Sequence, residues 1–392
     1  MRFAGRTLFA FGALVFVSAM VLSPRTVFEG ATLGLQTWWN IVFPSLLPFF
    51  IISELLLGLG VVRLLGVLLE PVMRPLFHLP GAASFAVAVG YSSGYPIGGA
   101  VTARLRAEGL VTRAEAEHLV AFTNNASPLF VLVAVAVGMF NQPAVGPFIL
   151  SVHYLTNLLL GLLLRFYAPA GRSRVAFARG IWRHAWRGFL ETEGCPPGQI
   201  LGEAVRSSVQ KLMVIGGYII FFAVAIRLLA HYGVLGLLAR LLGTALAPFG
   251  LDPGLFEPIV AGCLEMTLGT KLAAEAPVPL LHKLVAVQLI LAWSGLSIQA
   301  QMAAFTAGTD IRLRLYLVSR IGHAALAALV TCLLFPLWEP VAPAAVVPAA
   351  GPHLPSWAEL LWVSTALALI QPLFLASLGL ATACLRRLLH GL

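Results

Sequence analysis

The chain has 392 residues, 59% of them hydrophobic and 10% charged, with a mean hydropathy of +0.91, whereas an ordinary soluble domain is about 45–50% apolar and about 25% charged. Apolar runs of the ~20 residues needed to cross a bilayer recur throughout, which excludes a soluble enzyme, a nucleic-acid binder and a secreted disulfide scaffold. The net charge of +9 then points to basic loops on the cytoplasmic side of a membrane rather than to a polyanionic partner.

In chain order, Arg2 and Arg6 precede an apolar run at 7–23, read as an uncleaved span because no clear A-x-A cleavage site follows. A second span is expected at 31–59, and an amphipathic helix lying at the interface at 61–78. The apolar stretch 82–105 is broken by SSGYPIGG. Irregular backbone at membrane depth is tolerated only where protein or a water-filled cavity covers it, so this stretch reads as a re-entrant helical hairpin. Spans follow at 117–140, interrupted by FTNNASP, and at 145–167. The basic run from Arg165 to Arg187, with Trp182 and Trp186 interleaved, suits an amphipathic segment on anionic headgroups.

The same order returns downstream. A span is expected at 208–231, an interfacial helix at 234–248 and a second hairpin at 254–277, broken by EMTLGT. Spans at 280–306, interrupted by WSGLSIQAQ, and at 312–337 follow, then a Pro/Ala-rich linker at 339–356 and a last span at 357–385. The expected fold is an all-α polytopic membrane protein with about eight transmembrane helices plus two re-entrant hairpins in an inverted repeat. The expected divisions are an N-terminal span (1–30), a first repeat (31–167), a basic cytoplasmic linker (168–206), an inverted second repeat (207–337) and a C-terminal linker and span (338–392).

Two observations support that plan. With the N-terminus inside, all of the 25 basic residues except Arg25, Arg227, Arg240, Lys271 and Lys283 fall on the inner side, as the positive-inside rule requires. An offset of 171 residues carries Gly98 onto Gly269, Phe122 onto Trp293, Thr123 onto Ser294 and Asn125 onto Leu296. Interrupted hydrophobic segments at matching places in two halves mark the substrate site of many secondary transporters.

The candidate site residues come from those segments. Ser92, Ser93, Gly94, Tyr95, Pro96, Gly98 and Gly99 form the first tip, where proline stops one half-helix and the next begins with unpaired N–H groups suited to an anion. Small residues packing a helix crossing would look similar. Thr123, Asn124, Asn125 and Ser127, with Pro128, interrupt the following span, and Ser294, Gly295, Ser297, Gln299 and Gln301 recur at the equivalent place. Interhelical hydrogen bonding is the structural alternative for both.

In the second hairpin, Glu265, Thr267, Gly269, Thr270 and Lys271 bring two ionisable groups to membrane depth, where each costs about 2.5–3.5 kcal/mol. Glu265 can bind a coupling H+ or Na+, and Lys271 can meet a carboxylate. The alternatives are an ion pair between them or a lysine reaching the surface. Glu54, His153 and Asn157 are weaker candidates. Cys195, Cys263, Cys332 and Cys384 lie too far apart to form a C-x-x-C motif. The chain contains no phosphate-binding G-x-x-x-x-G-K-[ST] loop. No enzyme, catalytic residue, metal or further cofactor is expected. The expected partners are a small anionic substrate, the lipid bilayer and a second copy of the chain, with no nucleic acid.

The block GYSSGYPIGGAVTARLRAEGLVTRAEAEHLVAFTNNASPLFVLVAVAVGMF, supported by LEMTLGTK, resembles the YlbJ (SpoVV) family of sporulation integral membrane proteins over residues 37–337. Members carry two nucleoside-recognition Gate domains related to the core of concentrative nucleoside transporters. The resemblance implies transport of dipicolinic acid, a small aromatic dicarboxylate, out of the mother cell across the outer forespore membrane. A nucleoside or nucleobase carrier is the alternative it leaves within transport, and a non-transporting component of spore envelope maturation the alternative outside it. Where family tips often read SGFP, this chain has Tyr95, which adds a hydroxyl to a ring able to stack on an aromatic substrate.

Overall fold

The computed structural model describes residues 2–59, 73–128, 130–167 and 196–338. Among these residues every regular element is helical. The basic run beyond residue 167, the Pro/Ala-rich linker, the last expected span and most of the amphipathic stretch at 61–78 lie outside the described residues.

Helix α1 (Arg2–Leu22) stops at Ser23, where φ is −134° and ψ 59°, because the proline that follows disfavours helical backbone in the residue before it. The chain restarts as α2 (Pro24–Thr37), which runs through a π-helical turn at Trp38–Val42 into α3 (Phe43–Gly58). Ala10–Leu22 and Pro24–Asn40 make an angle of 104°. By length and composition the expected spans at 7–23 and 31–59 therefore supply at most one crossing from this bent pair.

Helices α4 (Ala83–Ser93) and α5 (Ile97–Ala107) fold against each other as the first hairpin. Helix α6 (Arg113–Thr123) opens on a capping box in which the Glu115 amide donates to Thr112 Oγ1 (3.3 Å) and the Thr112 amide to Glu115 Oε2 (2.7 Å). It ends at Thr123, and Asn124–Ser127 are not helical. A π-helical stretch, Phe130–Met139, precedes α7 (Val145–Leu163). The expected 117–140 span is therefore broken in the middle rather than merely interrupted in composition.

The second half comprises α8 (Pro197–His231), α9 (Val234–Leu246), the hairpin α10 (Phe256–Leu264) and α11 (Met266–Glu275), then α12 (Leu280–Trp293), α13 (Gly295–Thr306) and α14 (Arg314–Trp338). Ser294, at φ 69°, separates α12 from α13. Four stretches among the described residues are long and apolar enough to cross a membrane, at 145–166, 198–231, 280–306 and 314–338, or five with the bent pair. These, rather than the eight expected, are the crossings the described residues support.

Lipid tails are as apolar as leucine, so close packing holds such helices together. Against α8, a Cβ on Gly30 would stand 2.9 Å from Val224 Cα and one on Gly34 2.8 Å from Ile220 Cα. This Gly-x-x-x-Gly stripe lets α2 lie directly on α8. At the other side of the molecule α14 packs on α6, α7 and α12, so one helix touches the pieces of both broken spans.

Candidate functional site

Each hairpin is closed by backbone contact. A Cβ on Gly98 would run into the Thr123 carbonyl oxygen and stand 3.1 Å from Gly90 Cα; one on Gly269 would run into the backbone of Gly262. Only glycine fits at these crossings. The first tip turns through Gly94 (φ 77°) and a cis Tyr95–Pro96 bond, and the second turns at Glu265 alone (φ −141°, ψ 116°).

The two tips and the two breaks meet around one small cavity of about 50 Å³, room for a few waters. Its walls include Ser93, Tyr95 and Pro96 from the first tip, Ser127 from the first break, Glu265, Met266 and Thr267 from the second tip, and Ser297 and Gln301 from α13. Eight of the residues singled out in the sequence therefore share one lining.

The remaining candidates do other things. Ser92 Oγ donates to its own helix at Ala88 (2.8 Å), and Thr123 Oγ1 to Leu119 (2.8 Å). Gly94 is the turn, Gly98 and Gly269 are the crossings, and Gly99 packs beneath the Met302 side chain. Asn124 and Ser294 lie one layer behind the lining, where Asn124 Nδ2 donates to Tyr316 Oη (2.7 Å) and Ser294 Oγ lies 3.3 Å from the same phenol. Asn125 satisfies its amide with nitrogen toward the Gly90 carbonyl (3.1 Å) and oxygen toward Asn157 Nδ2 (3.1 Å). Gln299 Nε2 donates to Trp293 O (3.3 Å), and Thr270 is buried.

Lys271 is placed elsewhere. Its side chain is 50% exposed and lies 4.0 Å from Glu275, one turn along the same helix. It stands six positions beyond Glu265, too far around the axis for either an ion pair or a shared pocket wall. Glu265 is buried and turns inward, where its Oε2 accepts from the Leu268 amide (2.8 Å) and caps α11. A carboxylate of the chain itself thus occupies the N-terminus of α11. The start of α5 carries no side-chain cap.

The largest group missed in the sequence is Arg320, which falls near the start of an apolar run and so reads as a loop charge. It is 0% exposed. From α14 its Nη1 donates to the Asn124 carbonyl (2.9 Å), and its Nη2 to the Ala121 carbonyl and to Asn157 Oδ1 (3.1 Å). His153, Asn157 and His323 join this layer: the Ala126 amide donates to His153 Nε2 (3.2 Å), Asn157 Nδ2 donates to Phe122 O (2.5 Å), and the two imidazole centroids lie 4.7 Å apart. The R-x-x-H spacing on one face of an apolar span is the signal that points to this cluster.

Residues 40–143 and 212–335 match the family described as "Gate: Nucleoside recognition". The sporulation integral membrane protein YlbJ of Bacillus subtilis is 43% identical over 343 residues, 86% of this chain and 83% of that one. The chain belongs to the YlbJ family of Gate-domain proteins. It is an integral membrane protein, as that kinship and its apolar helices require. An uncharacterised protein of Alkalihalophilus pseudofirmus is 28% identical over 166 residues, 41% of this chain and 34% of that one. No solved structure matches. Each Gate segment contains one hairpin and one break, and Arg320 lies in the second while His153 and Asn157 lie between the two.

Proposed function

We propose that this YlbJ-family protein is a membrane transporter that holds a small organic anion between its two hairpin tips. The observation that carries this reading is the cavity lined at once by both tips and both breaks, the arrangement of a midplane site between repeats. The two Gate segments would be inverted repeats, within a chain of about eight crossings whose N-terminus is cytoplasmic. At about 50 Å³ the cavity has room for only a few waters, so a substrate requires one hairpin-bearing unit to move against the rest.

The substrate we propose first is dipicolinic acid, moved from the mother cell across the outer forespore membrane of a spore-forming host. The family relationship supports it. The uncapped start of α5 and the buried Arg320 behind Tyr95 supply positive potential, and a coupling proton on Glu265 would remove the one carboxylate from the lining. A nucleoside or nucleobase is the second reading, favoured by a lining that, among the described residues, offers hydroxyls, one amide and one acid with no lysine or arginine.

Vesicles carrying the full-length protein test both. Movement of dipicolinate, lost in Asn124→Ala without loss of protein, supports the first reading, and competition by uridine would favour the second. If neither ligand moves or shifts the melting temperature while membrane partners co-purify, the protein is a non-transporting component of spore envelope maturation.

A further inference from the structure

The carbonyl end of a broken membrane helix is a natural cation site, because unpaired C=O groups and the helix dipole both point there. At the first break that end belongs to α6, and a side chain already fills it. The Arg320 guanidinium donates to Asn124 O (2.9 Å), Ala121 O and Asn157 Oδ1 (3.1 Å), with His323 Nδ1 at 3.4 Å. Every one of these partners is neutral. Among the described residues no carboxylate lies within ion-pair distance of it, and its Nε has no hydrogen-bond partner.

A fully buried guanidinium without an acid is costly to keep unless its surroundings act as counter-charge. Here the counter-charge is the helix end. At the second break two carbonyls at the end of α12 go to neutral donors, Leu291 O to the Tyr95 hydroxyl (2.6 Å) and Trp293 O to Ser294 Oγ (2.6 Å) and Gln299 Nε2 (3.3 Å). Among the described residues, only the first break is built around a fixed charge.

We propose that Arg320 is a built-in cation standing where a coupling Na+ would bind at the first break, so that this protein works without Na+. This rests on the transport reading above and narrows its choice of coupling ion. Arginine stays charged at every accessible pH. Sodium could reach the Ala121 and Asn124 carbonyls only by displacing it.

The test has one arm that needs no substrate. The melting temperature of the full-length protein in detergent should be the same in NaCl and in choline chloride, and a rise specific to Na+ would overturn the inference. In Arg320→Met the vacated carbonyls should accept the ion, giving a Na+-specific rise of about 2–4 °C; a folded variant indifferent to Na+ would also overturn it. Should Arg320→Met not fold, Arg320→Lys, which keeps the charge, should again be indifferent to Na+, and the wild-type comparison still decides. In vesicles, movement of dipicolinate or uridine should be equal with Na+ or choline outside and should fall at least about tenfold in Arg320→Met. Na+-driven movement would sink the Arg320 assignment but leave transport standing. If neither probe moves, the transport reading fails and the thermal arm still judges Arg320.

Discussion

Two ionisable residues of the second hairpin that look alike in the sequence separate completely in space. Lys271, half-exposed and facing Glu275, should be dispensable: Lys271→Ala is expected to leave ligand binding and melting temperature unchanged, since exposed pairs of this kind contribute about 0–1 kcal/mol. A loss of binding in that variant would return the lysine to the site. Glu265 is different because its carboxylate both lines the cavity and caps α11. Glu265→Gln keeps an acceptor for the Leu268 amide and should fold with little loss. Glu265→Ala removes the cap and should cost about 1 kcal/mol of stability, read as a lower melting temperature than that of the glutamine variant. Equal melting of the two would show that the cap contributes nothing.

At the scale of elements, the hairpins depend on glycine where backbones touch. Gly98→Ala should push α5 away from the Thr123 carbonyl and destabilise the protein by about 1–3 kcal/mol. Gly217→Ala is the control. It lies on an exposed face of α8 with nothing within 4 Å of a Cβ, so alanine there should be neutral or stabilising by up to about 1 kcal/mol. Thermal unfolding of the pair separates steric contact from helix propensity.

These elements also show which features the sequence carries and which it does not. Clustered Gly, Pro, Ser and Asn mark a turn or a break wherever they interrupt an apolar run, and SSGYPIGG, FTNNASP, EMTLGT and WSGLSIQAQ each fall on an observed one. A break is a local event written in adjacent residues. The burial of Arg320, by contrast, depends on α14 lying against the end of α6, 196 residues earlier in the chain at Asn124. No local pattern encodes that approach. Lys271 fails the opposite way, since its neighbours suggest membrane depth while the turn of the helix carries it outward.

Across the whole molecule, the ion pairs that join separate elements gather on the first hairpin. Arg106 on α5 donates twice to Asp310, in the connection between α13 and α14 (2.8 and 2.9 Å), while Glu54 on α3 lies between Lys211 (2.5 Å) and Arg104 (3.6 Å). Beside the Glu54 cluster lies a cavity of about 320 Å³ bounded by α3, α5, α8 and the end of α13. The second hairpin has no such tie to another element among the described residues, its Lys271 pairing within its own helix. The hairpin on one side of the small cavity is thus tied by charge and the hairpin on the other side, among the described residues, by packing and neutral hydrogen bonds. The hydrogen bond from Arg106, reinforced by its charge, holds the Asp310 carboxyl below its ordinary value of 3.8. A carboxylate lowered on folding contributes stability that is fully present above its unfolded pKa and is lost as the pH falls through the lower folded one. Wild-type protein should therefore melt above Asp310→Asn at neutral pH, and the gap should close as the pH drops below about 4. A gap that persists in acid would show that the asparagine acts through packing. With the tie cut by Asp310→Asn, a cysteine placed at Ser93 on the cavity wall should react faster with a water-soluble thiol reagent at neutral pH than the same cysteine with the tie intact. An unchanged rate would mean that the Arg106–Asp310 pair does not restrict access to the cavity.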